Sequence, residues 1–185
     1  HQRKRLVNRQ PRKLHQRRKL IMNLPSLKEY AKHKDGTYVA FQMSEHSRDM
    51  LDHFVEMNLG LTERVDPKSY HITVIYSRTP VPTAEKRRGK IDAQAQATGY
   101  EIFNTKDGGK CLVLRVVCPK AAQMNSELKA EGATSDYPDY KAHVTIAYNF
   151  TQEIAAEDLP LPKFPLHFDE VHVSPLDPEF TPANK

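Results

Sequence analysis

The sequence predicts an α+β fold with mostly antiparallel sheet, built as two pseudo-twofold-related halves that face one another across a central cleft, with flanking helices. Three observations predict it. Hydrophobic patterning and turn signals give the order strand, helix, strand, loop, hairpin, helix, strand, strand. One short phrase, His–β-branched–Thr–β-branched–aliphatic–Tyr, occurs twice, as residues 71–76 and 143–148, once in each half. A chain of 185 residues can bury one sizeable core or two small lobes but is short for two independent domains.

The elements follow in order. Residues 24–32 read as a short helical turn capped by Ser26, and Asp35-Gly36 as a turn. Residues 37–43, rich in Tyr, Val and Phe, form the first strand. Ser44 caps a helix to about Asn58, with Met50, Leu51, Phe54, Val55 and Met57 as its apolar stripe and Gly60 just past its end. Asp66-Pro67 breaks the chain before the first His/Thr strand. Residues 79–90 are a Pro-rich basic loop. A strand over 91–105, interrupted at Gly99, and a second over 110–117 are joined by the hairpin turn Asp107-Gly108-Gly109. Pro119 opens a helix with Ala122, Met124, Leu128 and Ala130 as apolar positions, and Gly132 stops it. The turn-rich loop 133–142 leads into the second His/Thr strand. A last strand over 166–174 follows a Pro-rich stretch, and the tail from Pro175 is expected to be extended.

Composition narrows the function classes. No run of about 18 apolar residues exists, which excludes a membrane-spanning helix, and the basic start has no apolar stretch behind it, so no signal peptide is expected. Cys111 and Cys118 sit seven apart in one strand, on opposite faces, so no disulfide between them is expected. Two cysteines and nine scattered histidines give no zinc signature. The overall charge of +5 is concentrated in one segment: of 28 Lys and Arg, nine lie within residues 1–20, leaving 19 against 23 acidic residues elsewhere. Residues 1–21 are therefore expected to be a disordered basic extension ahead of a single domain over 22–185. That arm reads either as a nucleic-acid-binding segment acting by phosphate neutralisation or as a dispensable extension ahead of Met22. Arg87, Arg88 and Lys90 either attract an anionic ligand or form a solvated charged face. His33, His46, His53, His167 and His172 read as structural.

The doubled phrase carries chemistry. Side chains alternate along a strand, so His71 and Thr73, and His143 and Thr145, each share a face, while Ile72, Val74 and Tyr76 (with Val144, Ile146 and Tyr148) share the other. Cleaving a phosphodiester needs a base for the attacking oxygen and an acid for the leaving oxygen. Imidazole, with a pKa of about 6.5, supplies either near neutrality. The two hydroxyls can donate to non-bridging phosphate oxygens. A metal site on the same two histidines lacks an evident third ligand, so no metal and no cofactor is expected.

Paired His-x-Thr phrases of this kind resemble the 2H phosphoesterase superfamily. Residues 37–40, 70–77 and 132–148, the last with its Asp-Tyr-Pro-Asp-Tyr-Lys lead-in, are similar to one branch, the phage anti-CBASS nucleases that degrade cyclic oligonucleotide messengers. The resemblance covers about residues 36–175. It implies a bilobal fold and metal-independent hydrolysis of 3′–5′ linkages in a cyclic di- or trinucleotide such as 3′,3′-cGAMP or cyclic triadenylate, through a 2′,3′-cyclic phosphate. It implies His71, Thr73, His143 and Thr145 as the catalytic set, with Tyr38 and Glu170 near the substrate. It also implies an enzyme at work in the cytoplasm of an infected bacterial host, monomeric and with no obligatory protein partner. Relatives carry a mid-chain Trp for stacking that this chain lacks; Tyr100 is the nearest candidate, or else a tyrosine packed into the sheet. Tyr137 and Tyr140 either flank the pocket or shape their loop. Two other functions remain open from the sequence: opening of RNA 2′,3′-cyclic phosphates, and non-catalytic nucleic-acid binding through the arm.

Overall fold

The structure is a computed structural model and describes residues 33–105 and 108–177. The basic arm, the turn expected over 24–32, Asp107 of the hairpin turn and the tail beyond 177 lie outside the described residues. The elements are β1 (Thr37–Met43), α1 (Glu45–Asn58), β2 (His71–Ser77), β3 (Gly89–Asn104), β4 (Lys110–Val117), α2 (Pro119–Ala130), β5 (His143–Tyr148) and β6 (Leu166–Pro175). Their order is the one expected.

The six strands hydrogen-bond in the order β2-β1-β6-β3-β4-β5, and every pairing is antiparallel. The two expected sheets are joined by β3. Its first half pairs with β6 through Ala95↔Leu166; its second half, from Gln96, pairs with β4. A register shift between Ala97 and Gly99 coincides with the interruption read at Gly99. The order is symmetric about its middle: β2, β1 and β6 correspond to β5, β4 and β3, and each half contains a strand–helix–strand unit whose strands pair. The loop before β2 reaches across to β5, where Val65 N donates to Ile146 O at 2.9 Å.

The helices form where their caps dictate. Ser44 is extended and its Oγ accepts from Ser47 N, while Glu45 complements the positive end of the α1 dipole. Ser47 is buried, and its Oγ accepts from His167 N at 2.9 Å, which ties α1 to β6. Leu51 and Val55 enter the core and Phe54 meets Phe164 edge-on. The stripe was expected to include Met57, but that residue is 68% exposed; Leu59 beyond the helix fills the core instead. In α2 the buried positions are Ala121, Asn125 and Leu128 with Met124 half-buried, whereas Ala122 and Ala130, expected inside, are exposed. Methyl groups are too small to decide a helix face against Asn125, whose amide has a specific partner: Nδ2 donates to Val74 O at 2.8 Å. β2 is an edge strand, so its outer carbonyls need such partners. Gly36 (φ +119) brings β1 against the end of β2, where a Cβ would stand 2.2 Å from Ser77 O.

Ile72 and Val74, like Val144 and Ile146, are buried, while the His and Thr of each phrase are half-buried. The alternation then breaks identically in both strands. Val39 pairs with Ile75 and Ala40 with Thr73, leaving Val74 as an extra residue; Leu112 pairs with Ala147 and Val113 with Thr145, leaving Ile146 extra. Each motif strand thus carries a β-bulge just after its Thr. Tyr76 and Tyr148 were expected on the core face; the bulge turns them onto the His/Thr face, opposite Tyr38 and Cys111.

Candidate active site

Each motif histidine is fixed by a carbonyl two residues upstream. The 3₁₀ turn Pro67–Ser69, capped by Asp66, aims Ser69 O at His71 Nδ1, 2.6 Å away. In the other half Lys141 O lies 2.8 Å from His143 Nδ1. A carbonyl can only accept, so both rings carry their proton on Nδ1 and leave Nε2 for chemistry. A neutral ring offers Nε2 as a base; a protonated ring offers Nε2–H as an acid.

The electrostatics favour the neutral form at both. Burial lowers the His71 pKa, its bond to Ser69 opposes the shift, and His172 pushes it down further. Burial also lowers the His143 pKa against the Lys141 bond, and Arg115 and His71 push it further down while Glu101 opposes. The two rings are close enough for the charge of one to act on the other, although 72 residues separate them in sequence.

The threonines are held in matching ways. Thr73 Oγ1 is 3.2 Å from Tyr38 Oη, and the Thr145 hydroxyl is hydrogen-bonded to the Cys111 thiol. Tyr38 and Cys111 occupy corresponding positions on β1 and β4. Burial raises both of their pKa values, so both stay protonated. Aromatic edges complete the packing: Tyr38 meets His71 at 6.4 Å and His172 at 6.3 Å, and Phe103 meets His143 at 5.3 Å and 83°. Arg115 is the cross-strand partner of His143, and its Nη1 is buried without a hydrogen-bond partner, 3.6 Å from Glu101.

A cleft of about 790 Å³ opens beside these groups, lined by Thr73, Tyr76 and Arg78 of β2 and its end, Phe103 of β3, the loop 135–141 and His143. That volume suits a nucleotide-sized ligand. Tyr137, 73% exposed, and Tyr140 both line it, and Tyr140 Oη donates to Thr73 O at 3.0 Å. Glu170 lies on the histidine face of β6, in line with Gln42 and His71 across the strands, but is not part of the cleft wall.

Tyr100 does not reach the cleft. It packs against the core and its hydroxyl donates to Pro160 O at 3.2 Å. Phe103, three residues further along β3, is the aromatic that lies against His143. Arg87 pairs with Glu131, and Arg88 with Glu85 at 2.9 Å and with Val173 O, so these two cations tie their loop to the body. His33 is a buried structural node between Thr37 and Glu85. His172, read as structural, lies on the His71 face. Phe103, Cys111 and Arg78 carry no signal in the sequence for their places beside the motif strands. Both cysteines are free, and among the described residues no three His, Cys, Asp or Glu side chains are grouped to hold a metal ion.

The chain is similar to several known proteins. The family model described as Anti-CBASS protein Acb1 matches residues 35–183, a span that includes both His/Thr strands. The Anti-CBASS protein Acb1 of Vibrio phage KVP40 is 30% identical over 154 residues, 80% of this chain and 93% of that protein. The protein of the same description from Enterobacteria phage T4 is 30% identical over 134 residues, 72% of this chain and 86% of its own. Among solved structures, TT0787 of Thermus thermophilus is similar with a TM-score of 0.54 at 13% identity, covering 80% of this chain and 93% of that one; this likeness concerns the fold. With its two tautomer-locked histidines inside the matched span, the chain belongs to the Acb1 anti-CBASS family.

Proposed function

We propose that this protein is a metal-independent phosphodiesterase that hydrolyses 3′–5′ linkages of cyclic di- or trinucleotide immune messengers and so blocks CBASS defence in the cytoplasm of an infected host. The observation that carries this reading is the matched pair of imidazoles, each locked with Nδ1–H on a backbone carbonyl and Nε2 free. Such a pair supplies both proton transfers of a phosphoryl transfer. One neutral ring takes the proton of the ribose 2′-OH as its oxygen attacks phosphorus. The protonated ring gives its Nε2 proton to the departing 5′-oxygen. The product is a 2′,3′-cyclic phosphate, and the two rings have exchanged protonation states. Water then attacks, the roles reverse, and the 2′-oxygen leaves with a proton, giving a 3′-phosphate. Thr73 and Thr145 donate to the non-bridging oxygens as charge grows there. Both motifs come from one chain, so a single copy completes the site.

The test is cleavage of 3′,3′-cGAMP and cyclic triadenylate in EDTA, with linear RNA ending in a 2′,3′-cyclic phosphate as competitor. Turnover of the cyclic substrates that is lost in His71→Ala and in His143→Ala is expected. Undiminished turnover in the double variant, or turnover of the linear RNA alone, overturns the reading.

A further inference from the structure

The bulge after Thr73 has an effect that its counterpart after Thr145 does not. Both bulges turn a tyrosine onto the catalytic face, yet only Tyr76 forms part of the cleft wall. Its side of the cleft also holds Thr73, about 7 Å away, because the bulge leaves only two residue spacings between them, those from Tyr38 to Ala40 on the facing strand. Tyr76 is a large aromatic left 39% exposed. Its ring is not loose: the Arg78 guanidinium stands 5.6 Å from the ring centroid, and Asp136 of the facing loop holds that guanidinium through both carboxylate oxygens, at 2.9 and 3.3 Å. A fixed aromatic face backed by a cation, open to a cleft, is the arrangement on which nucleobases stack.

We propose that Tyr76, held by Arg78 and Asp136, is a nucleobase platform that takes the base of a nucleotide whose phosphate lies at the histidine pair. The inference deepens the reading of the cleft as a cyclic-oligonucleotide site and rests on it. The platform gives a flat surface in a chain that has no Trp and whose Tyr100 is turned into the core. Tyr137 lies on the loop wall of the same cleft. Arg78, already neutralised by Asp136, serves the ring rather than a phosphate. The platform therefore adds affinity through the base and leaves the chemistry at phosphorus unchanged.

Binding without turnover tests it. Calorimetric titration of 3′,3′-cGAMP into the His71→Ala protein gives a reference Kd. Adding Tyr76→Ala is expected to raise that Kd by about 5- to 100-fold, the range that loss of one stacked base produces. Adding Tyr76→Phe, which keeps the ring and the fold, is expected to leave it within about twofold. A Kd unmoved by Tyr76→Ala, a loss as large in Tyr76→Phe, or no binding by the His71→Ala protein overturns the platform. The two readings separate in this scheme. Tyr76-dependent binding with no hydrolysis by the wild type defeats the enzyme assignment alone; hydrolysis with Tyr76-independent binding defeats the platform alone.

Discussion

Replacing Tyr38 with Phe removes one oxygen and leaves the ring against His71 and His172 in place. That oxygen is 3.2 Å from Thr73 Oγ1. Burial raises the phenol pKa, so the hydroxyl keeps its proton through the neutral range and can donate to Thr73. In that arrangement Thr73 has its own hydrogen free for a phosphate oxygen in the cleft. Without the phenol the threonine rotor loses its orientation. One neutral hydrogen bond is worth about 1 kcal/mol net, or about fivefold in rate. Thr73→Ala removes the donor itself, and loss of such a donor costs about 100- to 1,000-fold. Because Tyr38 acts through Thr73, the double variant is expected to be no slower than Thr73→Ala. Single-turnover cleavage of 3′,3′-cGAMP, followed by chromatography of the products, reads all four proteins, and urea melts confirm that each is folded. Losses that multiply in the double variant would refute the relay, because they would mean that the phenol reaches the substrate by a path of its own.

Two further outcomes follow from the geometry. In the proposed reaction the free protein carries one proton shared between two imidazoles whose pKa values are both lowered by burial from 6.5; above that range both rings are neutral and the acid is missing. A kcat/KM profile is therefore expected to peak on the acid side of pH 6.5 and to fall about tenfold per unit toward pH 8, and a plateau across pH 7–9 would contradict the assignment. Asn125→Ala leaves the Val74 carbonyl buried and bare, so urea denaturation is expected to show a loss of about 1–3 kcal/mol, whereas a change under 0.5 kcal/mol (on the order of an ordinary surface substitution) would remove the amide from the account.

The regular parts of the fold were legible because each has a local cause. Ser44, Gly60, Pro119 and Gly132 bound their helices by capping chemistry, and β1 and β4 run over the residues that their alternation marks. His71, Thr73, His143 and Thr145 stood out because the phrase repeats. What failed was non-local. The facing of Tyr76 and Tyr148 depends on bulges, and a bulge is a property of two strands in register, invisible in either alone. Tyr100 stands out over Phe103 in the sequence because its place beside Gly99 is local, whereas the approach of Phe103 to His143 runs through β4. Asn125 gives no signal in the sequence because a polar residue enters a helix's inner face only when a partner waits there, and that partner is a carbonyl 51 residues away. His172 likewise gains its place only through the pairing of β6 with β1.

The two motif strands occupy opposite outer edges of the strand order, yet they meet. Direct bonds between the halves pin them there, Val65 N on Ile146 O and Asn125 Nδ2 on Val74 O, and the lobes share one continuous backbone, β3. The clasp between the two outer edges closes what would otherwise be an open sheet into a ring, so a substitution that loosens the clasp, although it touches neither histidine, is expected to part them.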